Sequence, residues 1–181
     1  MIELLFRRQP FSGLAPDLPR TYCEELKFGD GFVTKNGRFR YFGTVGDATM
    51  PSVSEINSAP WAGLFGIPQA GFFIFAEDYF GNLFLLDKNE KVFCFVVETG
   101  EVLDIGAVSH LVEKVIADDL QACPEEYRAI ASVFDIGPGF NHHLSCKLPR
   151  CFGGTIERDN FDIETRELHL GVVSQAIRFV S

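Results

Sequence analysis

Between residues 72 and 105 four apolar runs follow one another, with breaks too short for anything but a reversal of direction. The runs cover 72–76, 83–86, 91–97 and 102–105. Tyr79-Phe80-Gly81-Asn82, Asp87-Lys88-Asn89-Glu90 and Glu98-Thr99-Gly100 separate them, all of turn composition. A parallel pair needs a crossover of about a dozen residues, so these strands are antiparallel neighbours in a meander. In the run 92–97 both alternating sets are apolar: Val92, Cys94 and Val96 on one face, Phe93, Phe95 and Val97 on the other. Leu83-Phe84-Leu85-Leu86 behaves likewise. A sheet with one wet face alternates apolar with polar residues. These strands are therefore expected to be central and covered on both faces.

The flanks supply the covers. Residues 1–20 hold three prolines and read as an irregular lead-in with one short strand near residues 2–6. A short helix is expected from Pro19 to about Leu26, stopped by Gly29-Asp30-Gly31. Phe32-Val33 and Phe39-Arg40-Tyr41-Phe42 flank Lys35-Asn36-Gly37, a strong hairpin signal. Residues 51–61 carry an ambiguous, short-helix pattern. Ser109 is placed to cap a helix from His110 to about Gln121, with Leu111, Val112, Val115, Ile116 and Leu120 as its apolar stripe. Pro124 opens a second helix through Phe134, ended by Gly137-Pro138-Gly139. The remainder, 144–148, Thr155-Ile156 and 168–179, reads as strand, turn, then strand or mixed structure. The fold class expected is α+β: a central, mainly antiparallel meander of five to seven strands with helices packed against it, in a single domain.

Of the 181 residues, 46% are hydrophobic, and 19 Phe make ample area for a core. No apolar run approaches the ~18–20 residues of a membrane span. The N-terminal basic pair follows its apolar run, the reverse of a secretory signal, which points to a cytoplasmic protein. The five cysteines are odd in number and irregular in spacing, so reduced thiols are expected. The net charge of −9 is unevenly distributed. Residues 51–127 hold 3 Lys/Arg and 13 Asp/Glu, net −10, while 1–50 are net +1 and 128–181 net 0. A phosphate backbone is repelled by such a middle segment, which makes nucleic acid a poor candidate partner, and none is expected. A basic protein is attracted to it.

Catalytic patterns are weak. His142, His143, Cys146 and Cys151 have the atoms zinc favours, but Cys-x4-Cys lacks a second ordered pair and matches no closed zinc pattern. A thiol nucleophile drawn from the same set carries no local signature. Paired acids such as Glu77-Asp78 and Asp118-Asp119 read as solvation. Gly153-Gly154 lacks the spacing of a nucleotide loop and reads as a tight turn or close backbone approach. Trp61 reads as a core anchor or an interface hot spot, the core reading being favoured. No catalytic, metal or cofactor-binding residue is assigned.

One stretch carries a family likeness. Phe75-Ala76-Glu77-Asp78-Tyr79-Phe80-Gly81-Asn82-Leu83-Phe84-Leu85-Leu86-Asp87 resembles the F-A-x-D-x-x-G-x-x-(F/Y)-x-x-D element of the SUKH (SMI/KNR-like) superfamily. Lys91-Val92-Phe93-Cys94-Phe95, Glu98-Thr99-Gly100-Glu101-Val102 and the helix after Ser109 are similar to that superfamily's next elements. Residues 1–70 resemble the GAD-like part that precedes this core in some type VI secretion immunity proteins. Residues 71–121 then form the core meander and helix. Residues 122–181, with Leu148-Pro149-Arg150-Cys151-Phe152-Gly153-Gly154 and Asn160, resemble a C-terminal extension. The N-terminal helix is shorter than the family's, and Gly29-Asp30-Gly31 stands where Asn-Gly-Gly is usual. The resemblance implies a cytosolic, non-enzymatic immunity protein without cofactor that neutralises a cognate toxin, often a nuclease and basic. The acidic residues around the meander turns and the following helix are then the expected partner-binding surface: Glu77, Asp78, Asp87, Glu90, Glu98, Glu101, Asp118 and Asp119. The alternatives are a thiol or metal enzyme built on His142, His143, Cys146 and Cys151, or a regulatory scaffold domain.

Overall fold

A computed structural model describes residues 4–7, 18–25, 29–34, 37–48, 50–117, 125–131, 133–134 and 141–180. Their core is a seven-stranded sheet in which order in space equals order in sequence. The strands are β1 (Leu4–Arg7), β2 (Phe32–Thr34), β3 (Phe39–Tyr41), β4 (Phe73–Asp78), β5 (Leu83–Leu86), β6 (Val92–Val96) and β7 (Glu101–Gly106). All six pairings are antiparallel. The expected α+β meander is thus present, at the upper end of its strand range. It runs without a break across residue 70, because β3 pairs with β4.

β5 is buried at every position, and β6 at all but Phe93, as the doubly apolar pattern requires. The aromatic residues cement the layers. Tyr22, in helix α1 (Arg20–Glu25), stacks on Tyr41 at 5.5 Å, and Tyr41 on Phe32 at 5.1 Å. Phe65 meets Phe95 edge-on at 5.0 Å, beside the short helices α2 (Val53–Asn57) and α3 (Pro60–Leu64). Such pairs add about 0.5–1.5 kcal/mol each beyond area burial. Ser52 and Glu55 close a capping box on α2. The Asn57 amide then bonds both backbone groups of Ile74, at 2.8 and 2.9 Å, where β4 extends beyond its pairing with β3.

Helix α4 (Val108–Ala117) follows β7 and buries Leu111 and Val115. It begins one residue before Ser109, so Ser109 lies inside its first turn rather than capping it. The expected end of this helix, Pro124 and the Gly137-Pro138-Gly139 stop lie outside the described residues. Helix α5 (Glu125–Ala131) falls within the expected second helix. The C-terminal portion differs most. β8 (His142–Cys146) and β9 (Phe161–Thr165) form a separate two-stranded sheet, and residues expected as strand or mixed structure form the fifteen-residue helix α6 (Arg166–Val180). Between β8 and β9, Asn160 clasps its own loop by bonding Leu148 N and O and Thr155 O. A Cβ on Gly154 would lie 1.8 Å from Leu148 O, which is the close approach expected of the glycine pair. Among the described residues no helix is long and apolar enough to cross a membrane.

Candidate functional site

A buried polar chain runs between the sheet and the C-terminal unit. Arg40 on β3 lies directly opposite Glu77 on β4, both fully buried among mainly apolar strand residues. Arg40 Nη1 donates to Glu77 Oε1 at 3.0 Å. Arg166, the first residue of α6, donates Nε to Glu77 Oε1 and Oε2 at 3.0 and 2.9 Å, and its Nη2 also reaches Oε1. Each guanidinium also reaches the start of β8: Arg40 Nη2 donates to His142 O at 2.7 Å, and Arg166 Nη1 to Asn141 Oδ1 at 2.7 Å.

Two histidines continue the chain. His143 Nε2 lies 3.2 Å from Glu77 Oε2, but it is too poorly aligned for a full hydrogen bond. On the other edge of the ring His143 Nδ1 meets His169 Nδ1 at 3.1 Å, and His169 Nε2 meets Glu98 Oε1 at 3.1 Å. Glu98, in the turn between β6 and β7, also accepts from Cys146 N at 3.2 Å and Arg150 N at 3.3 Å. The sequence of contacts is therefore Glu77, His143, His169, Glu98.

Burial alone raises the Glu77 carboxyl, but the Arg166 guanidinium beside it outweighs this and holds Glu77 well below the usual carboxylate range. Burial pushes His143 down to about 3 against the pull of Glu77. With His143 neutral, one tautomer meets the remaining contacts: His169 Nε2–H donates to Glu98, and His143 Nδ1–H donates to His169 Nδ1. In that tautomer His143 Nε2 carries no proton and donates nothing to Glu77. Gly81 makes room for the pair. Its φ is +80°, and a Cβ would lie 2.7 Å from His143 Nδ1 and 3.1 Å from His169 Cε1. Leu144 N bonds Tyr79 O at 2.7 Å, seating β8 on the same turn.

This arrangement corrects the expected binding surface. Glu77, Asp78 and Glu98 are 0%, 0% and 2% exposed, so they cannot face a partner. Asp78 instead builds the β4–β5 turn, accepting from Phe80 N, Asn82 N and Asn82 Nδ2. Asn82 Oδ1 in turn accepts from Val97 N. Glu90 holds the first residues of α1, accepting from Arg20 N at 2.6 Å and Thr21 N at 3.3 Å. Asp87 closes its own turn onto Asn89 N and Lys91 N. Glu101 is exposed on β7. Asp118 and Asp119 lie outside the described residues.

The cysteine and histidine set does not converge. His143 and Cys146 are buried on opposite faces of β8, while His142 and Cys151 are half-buried. Among the described residues no group of three His, Cys, Asp or Glu is arranged to hold a metal ion. Burial raises the thiols of Cys23, Cys94, Cys146 and Cys151, and neighbouring carboxylates raise them further. A nucleophilic thiolate needs the opposite shift.

No protein-family model matches the chain, and no curated protein matches it. A search of solved structures finds Atu4351 from Agrobacterium tumefaciens, similar in fold over 96% of this chain and 86% of that one, at a TM-score of 0.59 and 13% identity.

Proposed function

We propose that this chain is a non-enzymatic binding protein that captures and neutralises a basic protein toxin, in the manner of SUKH-type immunity proteins. The observation that carries the reading is the free edge of the sheet. β7 is exposed along Glu101-Val102-Leu103-Asp104, with Val102 47% and Leu103 39% exposed on opposite faces. Among the described residues no strand pairs with its outer edge, and its charges are Glu101 and Asp104, the latter shared with Lys91. An edge of this kind accepts a further strand through main-chain bonds, with apolar contacts on both faces. Its acidic side chains select for a basic segment. The thiols held in their protonated form, and a histidine chain closed inside the fold, also favour binding over chemistry. The cytoplasm is the compartment in which such a protein acts.

The test is the double reversal Glu101→Lys with Asp104→Lys. Association with the toxin is expected to slow at least about tenfold at low salt and to lose its salt dependence. Unchanged kinetics would exclude β7 from the interface.

A further inference from the structure

A second surface feature is not accounted for by the fold. A groove of about 510 Å³ runs between α2–α3 and α6. Pro60, Trp61 and Leu64 supply apolar wall, while Glu55 and Glu167 are exposed carboxylates along it. Arg166 also borders the groove, but its guanidinium is committed to Glu77. The unbalanced charge of the lining is therefore negative. The bonds from Ser52 hold the Glu55 carboxyl below its usual range, so it is ionised at neutral pH.

Gly171 lines the same groove. It stands in the interior of a fifteen-residue helix, where glycine is the least favourable residue after proline. Its φ is not positive, and a Cβ there would meet nothing within 4 Å. Among the described residues neither its backbone nor its neighbours call for glycine. What the missing side chain leaves is space in the groove, beside an acidic residue and an indole.

We propose that this groove receives an arginine or lysine side chain from an apolar-flanked segment of the partner, its stem against the Trp61 wall and its charge between Glu55 and Glu167. Long basic side chains have this division, an apolar stem with a charged head. A pocket of this form is where an interface concentrates its affinity. The proposal rests on the reading of the partner as a basic protein and adds a seat for its anchor residue.

The experiment is selection of peptides from a random displayed library on the wild-type protein, followed by titration of the selected peptides. Trp61 is the chain's one tryptophan, so its fluorescence reports on the groove alone. Selected peptides are expected to carry arginine or lysine beside apolar residues and to change Trp61 emission saturably. Gly171→Leu fills the groove and should abolish binding while leaving the circular dichroism spectrum intact. Glu167→Lys, at an exposed position, should weaken binding at least about tenfold, and it decides the matter if Gly171→Leu does not fold. Selection of neutral or acidic peptides, no enrichment at all, or equal binding by both variants would overturn the proposal. A toxin captured equally by wild type and Gly171→Leu would overturn the groove but leave the proposed function standing. A wild-type protein that captures no toxin overturns that function, while the peptide selection still judges the groove.

Discussion

Replacing Glu77 with glutamine removes one charge from the only described contact set that joins β3, β4, β8 and α6. The carboxylate holds Arg40 through one bond at 3.0 Å and Arg166 through bonds at 2.9 and 3.0 Å, with a further contact from Nη2. Arg40 and Arg166 are 2% and 1% exposed, so water cannot take over. Glutamine keeps one acceptor oxygen but turns an amide donor toward a guanidinium. Breaking a buried ion pair from one side costs about 3–5 kcal/mol, because the charge left behind stays buried. A domain is stable by only about 5–15 kcal/mol in total. At a typical urea slope of about 2 kcal/mol per M, the unfolding midpoint should fall by roughly 2 M with the slope unchanged. Glu101→Gln, at an exposed site, should stay within about 0.5 kcal/mol of wild type. A loss below about 1 kcal/mol for Glu77→Gln, the range of surface pairs, would refute its role as a structural counter-charge.

Three further outcomes follow from the same chain of contacts. His143 ordinarily titrates at 6.5 but is pushed to about 3 in the fold, so between those values the unfolded chain binds the proton and the folded chain does not. Stability therefore rises with pH across that window, at up to about 1.4 kcal/mol per pH unit, and about 2 kcal/mol should disappear between pH 7 and pH 5. The depressed Glu77 carboxyl acts in the same sense: its contribution is present above its ordinary 4.5 and is lost as pH falls toward its folded value. Urea unfolding at stepped pH checks this; flat stability from pH 7 to 5 would contradict it, and His143→Gln should flatten the wild-type curve there. Gly81→Ala should cost about 2–4 kcal/mol, from a left-handed backbone at φ +80° and a Cβ 2.7 Å from His143. A thermal midpoint within 2 or 3 °C of wild type, roughly the shift of a sub-kilocalorie change, would sink that expectation.

The meander was readable because its turns are short and its strands carry apolar residues on both faces. Glu77 lies just past the apolar run 72–76, yet in the fold it belongs to β4. A carboxylate buried near the end of a strand needs an internal counter-charge, and Arg40, set between Phe39 and Tyr41, is the matching anomaly in the neighbouring strand. Reading Glu77 and Asp78 as surface acids followed from their adjacency, whereas their burial follows from the pleat and the turn they close. Helix α6 was hidden for a related reason. Its buried stripe is Arg166, His169, Leu170, Val173, Ser174 and Ala176, at helical spacing but with three polar members, while Leu168, Val172 and Phe179 are exposed. A stripe so composed does not register as apolar periodicity. Pairing His143 with His169, 26 residues apart, depends on the β8–β9 hairpin and could not be read from spacing.

The proposed function is the binding of a basic protein rather than chemistry. Capture from the native cell on the immobilised wild-type protein, with stepwise elution in salt and mass identification, tests it most directly. The expected result is one basic protein, released only at high salt, whose toxicity is abolished by stoichiometric addition of this chain and which the Glu101→Lys, Asp104→Lys variant fails to hold. Recovery of no specific protein from toxin-expressing cells, or of a partner whose binding ignores salt and the double reversal, would contradict it.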